Sequence, residues 1–279
     1  MKKINSIVLV VMLLLVSGSF YGQNLKIMTY NIRLDNASDG ENAWPNRKEY
    51  FTSQIQFYSP DIFGVQEATP PQVDYIALAL PDYNKFGIGR EEGGTGEACT
   101  IYYKKDRFKV QNATTFWLSE TPNVVSRGWD AACNRVCTYA LFTDLKTKKT
   151  FWVFNLHLDH MGEEARVKGV ALVLSKIKEV NSKNQPVFLM GDFNSEPNTQ
   201  QIAAIKKVMD DTRDVSKEKP FGPSGTFNGF KHNEPVTLLI DYIFVSKNSA
   251  LKIEKHAVLS DSKDLRYPSD HLPVLIEID

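Results

Sequence analysis

The strongest constraint on the fold is the order in which short apolar runs and helical segments alternate along the chain. Residues 25–32 are apolar and β-branched, 47–58 carry apolar residues at helical spacing, and 61–65 form a second strand-like run that ends in Gln66 and Glu67. A helix fits 71–80, and strand candidates follow at 98–103, 108–116, 136–144 and 151–156, with a polar hairpin tip at 146–149. The second half repeats this order. Its longest helical pattern, 163–181, puts Val167, Val170, Ala171, Leu174 and Ile177 on one face, and Pro186 then starts the buried-type run 187–190. Another helix fits 199–209, and 238–245, 251–258 and 273–278 read as strands. Helices flanking sheet-rich stretches in both halves predict an α+β fold, with two sheets packed face to face and helices outside, rather than one doubly wound sheet.

With 279 residues, 42% of them hydrophobic, the chain can bury a sizeable core, and no repeat or linker divides it. Thirty-three basic residues balance 33 acidic ones, which argues against a protein that coats nucleic acid through bulk charge. Lys2 and Lys3, the apolar run 7–16 and then Ser17, Gly18 and Ser19 have the order of a secretory signal. Residues 1–22 are therefore expected to be a signal peptide cleaved near Gly22, leaving one domain over 23–279, secreted or periplasmic. The apolar run is too short to span a bilayer, so no stable membrane span is expected in the mature protein. Cys133 and Cys137 could pair across a turn; a strand there would keep them apart as free thiols.

Polar residues close the apolar strands, where the open loops of such folds gather a site. Asn31 closes the first strand and Gln66-Glu67 the second; His157 follows Asn155-Leu156; Asp192 and Asn194 close the run from 187; Asp241 opens Asp241-Tyr242; and Asp270-His271 precede the last strand. Any one of these is most often a turn or cap residue. Together, hard oxygen ligands, two imidazoles and an Asp-x-Asn pair are what metal-assisted attack on phosphorus requires.

This ordered set, Tyr30-Asn31, Gln66-Glu67, Asn155-Leu156-His157, Gly191-Asp192-Phe193-Asn194, Asp241-Tyr242 and Ser269-Asp270-His271, resembles the endonuclease/exonuclease/phosphatase superfamily over nearly all of the mature sequence. The stretches 116–122 and 128–132 look like those of a secreted bacterial branch. The resemblance implies a DNase I-like four-layer α/β/β/α sandwich and a hydrolase of phosphoric esters, a phosphomonoesterase or phosphodiesterase. It further implies Glu67 as the main ligand of a divalent ion, with Asn31 beside it and Asp270 helping. Mg²⁺ is the expected cofactor, with Mn²⁺ as the alternative.

In the same reading Asp192 positions or activates the water, Asn194 and His157 bind phosphoryl oxygens, and His271, oriented by Asp241, faces the phosphorus. Glu97 looks like the carboxylate that braces His157. Many relatives carry an Arg where this chain has Leu239, so Arg90, Arg127, Arg135 and Arg166 are candidate replacements for anion binding. Arg127 is favoured because it precedes Gly128-Trp129 in a glycine-containing loop, with Trp129 available to stack on a ring. His160 is a further candidate for the pocket wall, whereas His232 and His256 are expected at the surface. A small phosphorylated sugar, inositol phosphate or lipid head group is expected in preference to long nucleic acid. The competing readings are a nonspecific extracellular endonuclease and a catalytically silent module that binds a phosphorylated ligand.

Overall fold

The computed structural model describes residues 24–247, 249 and 251–279. The expected signal segment lies outside them. Among the described residues, twelve strands form two six-stranded mixed sheets. The first takes its strands from both ends of the chain: β1 (Leu25–Asn31), β2 (Ile62–Gln66), β3 (Tyr83–Phe86), β4 (Ile101–Lys104), β11 (Ile253–Val258) and β12 (Val274–Ile278), in the order β11-β12-β1-β2-β4-β3. The second uses the middle: β5 (Phe108–Trp117), β6 (Val136–Asp144), β7 (Thr150–His157), β8 (Val187–Asp192), β9 (Met209–Asp211) and β10 (Asp241–Ser246), in the order β5-β6-β7-β8-β10-β9. Helices α1 (Trp44–Tyr58) and α2 (Pro70–Ala79) cover the first sheet; α3 (Glu163–Val180) and α4 (Gln200–Val208) cover the second, and one turn, α5 (Thr212–Val215), follows β9.

The expected two-sheet sandwich is therefore present, with three distinct apolar layers. Ile27, Ile62, Val153, Phe188, Met190 and Ile243 pack between the sheets. Phe154, Leu156, Leu189, Tyr242 and Phe244 face α3 and α4, while Met28, Tyr30, Phe63 and Val65 face α1 and α2. Side chains alternate faces along a strand, so these assignments put Asn31, Gln66, Asn155, His157, Asp192 and Asp241 on the inward rows, in line with the inter-sheet core. Parallel pairing of β1 with β2 and of β7 with β8 brings their polar ends to one end of the seam. Antiparallel β10 starts there too, with Asp241 opposite Asp192.

Local sequence explains the helix starts that frame this end. Thr69 and Gln72 form a reciprocal capping box ahead of Pro70 at the start of α2. At α3, Asp130 reaches from a distant loop to accept the N–H groups of Ala165 (2.7 Å) and Glu164 (3.2 Å). The short strands β3 and β9 carry little apolar signal of their own and were not expected. His256, expected at the surface, is buried on β11, where its Nδ1 lies 3.1 Å from Thr212 Oγ1. Cys133 and Cys137 are both free, as a strand at β6 requires.

Candidate active site

The polar ends of the inward rows surround a cavity of about 420 Å³ lined by Glu67, Arg90, Glu97, Arg135, His157, Asp192, Asn194, Asp270 and His271, among others. Arg33, Leu34, Cys133, His160, Phe227, Leu238 and Ile240 complete its wall. Residues at both ends of the described chain thus meet in one place. Buried Arg47 holds the two chain ends together: its guanidinium donates to the carbonyls of Ile32, Arg33 and Pro268, tying the loop after β1 to the loop before Asp270.

Asp192 is the centre of the polar network. Its Oδ2 accepts from Asn31 Nδ2 at 2.9 Å and lies 3.3 Å from His157 Nε2 and 3.8 Å from His271 Nε2, while Oδ1 accepts the Asn194 N–H at 2.8 Å. Burial pushes the Asp192 carboxyl above its ordinary range, and the neighbouring charge of Asp241 adds to this. On the far side, His271 Nδ1 is 2.9 Å from Asp241 Oδ2. Burial works against the His271 imidazolium, but the charge and hydrogen bond of Asp241 outweigh it, so this histidine is held charged well above its ordinary pKa. His157 behaves oppositely: burial and the charges of Arg135 and Arg90 keep it neutral. Its Nε2 lies 3.0 Å from Asn194 Nδ2, which also donates to the Leu158 carbonyl, so Nε2 is the accepting nitrogen.

The donor set fits a hard divalent cation. Half-buried Glu67 and buried Asp270 are carboxylates on the same cavity wall; burial raises the Asp270 carboxyl, and the negative charge of Glu67 raises it further. The Asp270 Oδ2 has Arg33 Nε only at 3.9 Å. A cation between these oxygens would relieve their repulsion, and oxygen donors with room for water suit Mg²⁺. Asp192, Asp241 and His271 also offer ligand atoms within 4.8 Å of one another, but the Asp241–His271 hydrogen bond already uses two of them. Glu67 sits at φ 62°, a left-handed conformation in a non-glycine residue, and Arg33 and Asn194 share that region. The strand ends that carry the site therefore turn sharply just as they leave the sheets.

The sequence model of the Endonuclease/Exonuclease/phosphatase family matches residues 28–271, a span that contains every one of these side chains. The chain belongs to this family. Members of the family are phosphoester hydrolases that generally use divalent metal ions. A solved family protein from Bacteroides thetaiotaomicron is 36% identical, covers 91% of this chain and 97% of its own, and superposes with a TM-score of 0.87. A mannosyl-6-phosphatase from the same organism is 37% identical over 91% of this chain and 99% of its own, with a TM-score of 0.86. Among curated proteins, a probable RNA exonuclease of Saccharomyces cerevisiae is 28% identical over 66% of this chain; the match spans 40% of that protein's length.

Several expected roles change within this family site. Asn31 stands beside Glu67, but its Oδ1 accepts the Arg33 backbone N–H (3.0 Å), which turns the amide nitrogen to Glu67 and Asp192. In this arrangement its nitrogen bridges the two carboxylates. Glu97 does not brace His157, because both its oxygens are taken by the Arg90 guanidinium at 2.7 and 2.8 Å. Arg127 is exposed and, like Trp129, is not among the cavity residues; the Trp129 ring faces Lys168 instead. Arg90 and Arg135 do line the cavity, and Arg33, which sequence reasoning passed over, joins them. Its position two residues beyond Asn31 was the available signal. Leu239 packs towards the helix-side core, away from the cavity.

Proposed function

We propose that the mature chain is a secreted or periplasmic Mg²⁺-dependent phosphomonoesterase that takes small phosphorylated sugars. The observation that carries the reading is the convergence of a carboxylate pair, Glu67 and Asp270, with Asp192 and a charged His271 around one cavity. Its volume of about 420 Å³ suits a small ligand. The 37%-identical mannosyl-6-phosphatase, aligned along nearly its whole length, supports a sugar phosphate. The balanced charge supports it over long nucleic acid.

Glu67 and Asp270 would hold the ion, which when bound neutralises charge on the phosphoryl oxygens. Asp192, its carboxyl raised by burial, is suited to accept the proton of the attacking water near neutral pH. His271 presents a fixed positive charge to the cavity, so developing negative charge meets a cation that needs no reorganisation. The purified mature protein should be assayed against sugar phosphates, inositol phosphates, phospholipids, RNA and DNA, each with Mg²⁺ and with EDTA. Preferred, EDTA-sensitive release of phosphate from sugar phosphates is expected; turnover of nucleic acid alone would overturn the monoesterase reading.

A further inference from the structure

We propose that Gln66 and Asn155 act as a positioning pair, a polar pin between the two sheets that sets the span from Glu67 to His157. The inference rests on the hydrolase reading above for its kinetic consequence. Gln66 ends β2, immediately before Glu67, and Asn155 lies two residues before His157 on β7. Both are fully buried on the inward rows of opposite sheets. Gln66 Nε2 donates to Asn155 Oδ1 at 2.6 Å and to Thr29 Oγ1 at 3.0 Å. Asn155 Nδ2 donates back across the seam to the carbonyls of Val65 (3.0 Å) and Thr100 (3.2 Å). Gly64 completes the fit, since a Cβ there would come within 2.6 Å of Asn155 Cγ.

Stability alone does not explain two amides in this place. Gln66 Oε1 is buried without a partner, and apolar residues of the same shape would fill an inter-sheet core without that penalty. What the pair supplies is direction. Apolar contacts let packed sheets slide by fractions of an ångström, whereas hydrogen bonds from one side chain to an amide and two carbonyls fix translation and rotation together. The strained turn at Glu67, φ 62°, starts at the pinned residue, so the carboxylate direction follows from where Gln66 is held.

The test compares wild type, Gln66→Met, Asn155→Leu and the double variant, all as the full mature chain. Each single variant leaves a buried polar group unpaired and should melt at a lower temperature; the double variant should recover a Tm within a few degrees of wild type. Its kcat on the best substrate should nevertheless fall about 30-fold with KM within threefold, and its affinity for Mn²⁺, read by electron paramagnetic resonance without substrate, should fall about tenfold. A double variant with wild-type Tm, kcat and Mn²⁺ affinity would overturn the proposal. If the double variant does not fold, the isosteric Thr29→Val decides: a fivefold lower kcat supports the pin, an unchanged kcat overturns it. If wild type hydrolyses none of the esters, the hydrolase reading fails separately, and the Mn²⁺ affinities judge the pin, tenfold loss supporting it and equality overturning it.

Discussion

Asn31, at the end of β1 in one sheet, donates to Asp192 Oδ2 at 2.9 Å, at the end of β8 in the other, although 161 residues separate them. The same amide nitrogen reaches Glu67 at 3.0 Å. One side chain therefore ties the proposed metal-binding carboxylate to the proposed water-activating one. Hydrogen bonds to charged groups contribute about 1.5–3 kcal/mol each. Losing that alignment in the transition state corresponds to about 10- to 100-fold in rate. Asn31→Ala is expected to lower kcat by that amount, and Asn31→Asp by more, since it sets a third carboxylate against two. Steady-state kinetics on the preferred ester check this; an Asn31→Asp enzyme as fast as wild type would remove the bridging role.

Much of this was legible in the sequence because a strand has a period of two. Ile27, Thr29 and Asn31 must share a face, as must Val153, Asn155 and His157, so each inward row runs from apolar core into a polar end. What periodicity could not give is which loop residue reaches back. Arg127 lies in a glycine-containing loop, which favours it by sequence, yet it is exposed and not among the cavity residues, while Arg90 is placed by its fork on Glu97. The resemblance assigns Glu97 to His157, and only the fold reveals the competing guanidinium. His256 reads as a polar position on an edge-like run, but α5 and Thr212 fold over it.

A divalent ion should act on stability as well as on turnover. Glu67 and Asp270 repel one another in the cavity, and a ligand bound only by the folded state stabilises it by about 2.7 kcal/mol at a hundredfold excess over Kd. For a domain of this size that corresponds to a Tm rise of several degrees. Differential scanning fluorimetry with and without saturating Mg²⁺ should show the rise in wild type and its loss in Glu67→Gln. Equal shifts in both proteins would place the ion elsewhere.

Asp241 keeps His271 charged, and this fixes the sign of a pH effect. If the imidazolium is the working form, activity is lost as pH rises through the His271 pKa, which Asp241 holds well above the ordinary value. Asp241→Asn removes the charge that opposes burial, so the alkaline limb of the kcat profile should move to lower pH. A drop in kcat of about 10²-fold at neutral pH is expected. An unmoved alkaline limb in Asp241→Asn would mean that His271 is not the group that titrates.

His256 gives a second pH dependence, far from the chemistry and confined to stability. Thr212 Oγ1 donates to the Ile243 carbonyl at 2.7 Å and therefore accepts from His256 Nδ1, which places a proton on that nitrogen of the buried ring. Burial, helped by the charge of Arg213, lowers its pKa from 6.5 to about 4. Between those values the unfolded chain binds a proton that the folded one refuses, so stability rises with pH across that window. Stability is fully present above about 6.5 and is lost as pH falls towards 4, by about 3 kcal/mol for this group. Urea unfolding of wild type and His256→Asn at several pH values from 7.5 downwards should give curves that converge by this amount in acid, because asparagine can place an amide N–H at the Nδ1 position and cannot take up the proton. Parallel curves would show that the imidazole protonates as easily in the folded protein as in the unfolded chain.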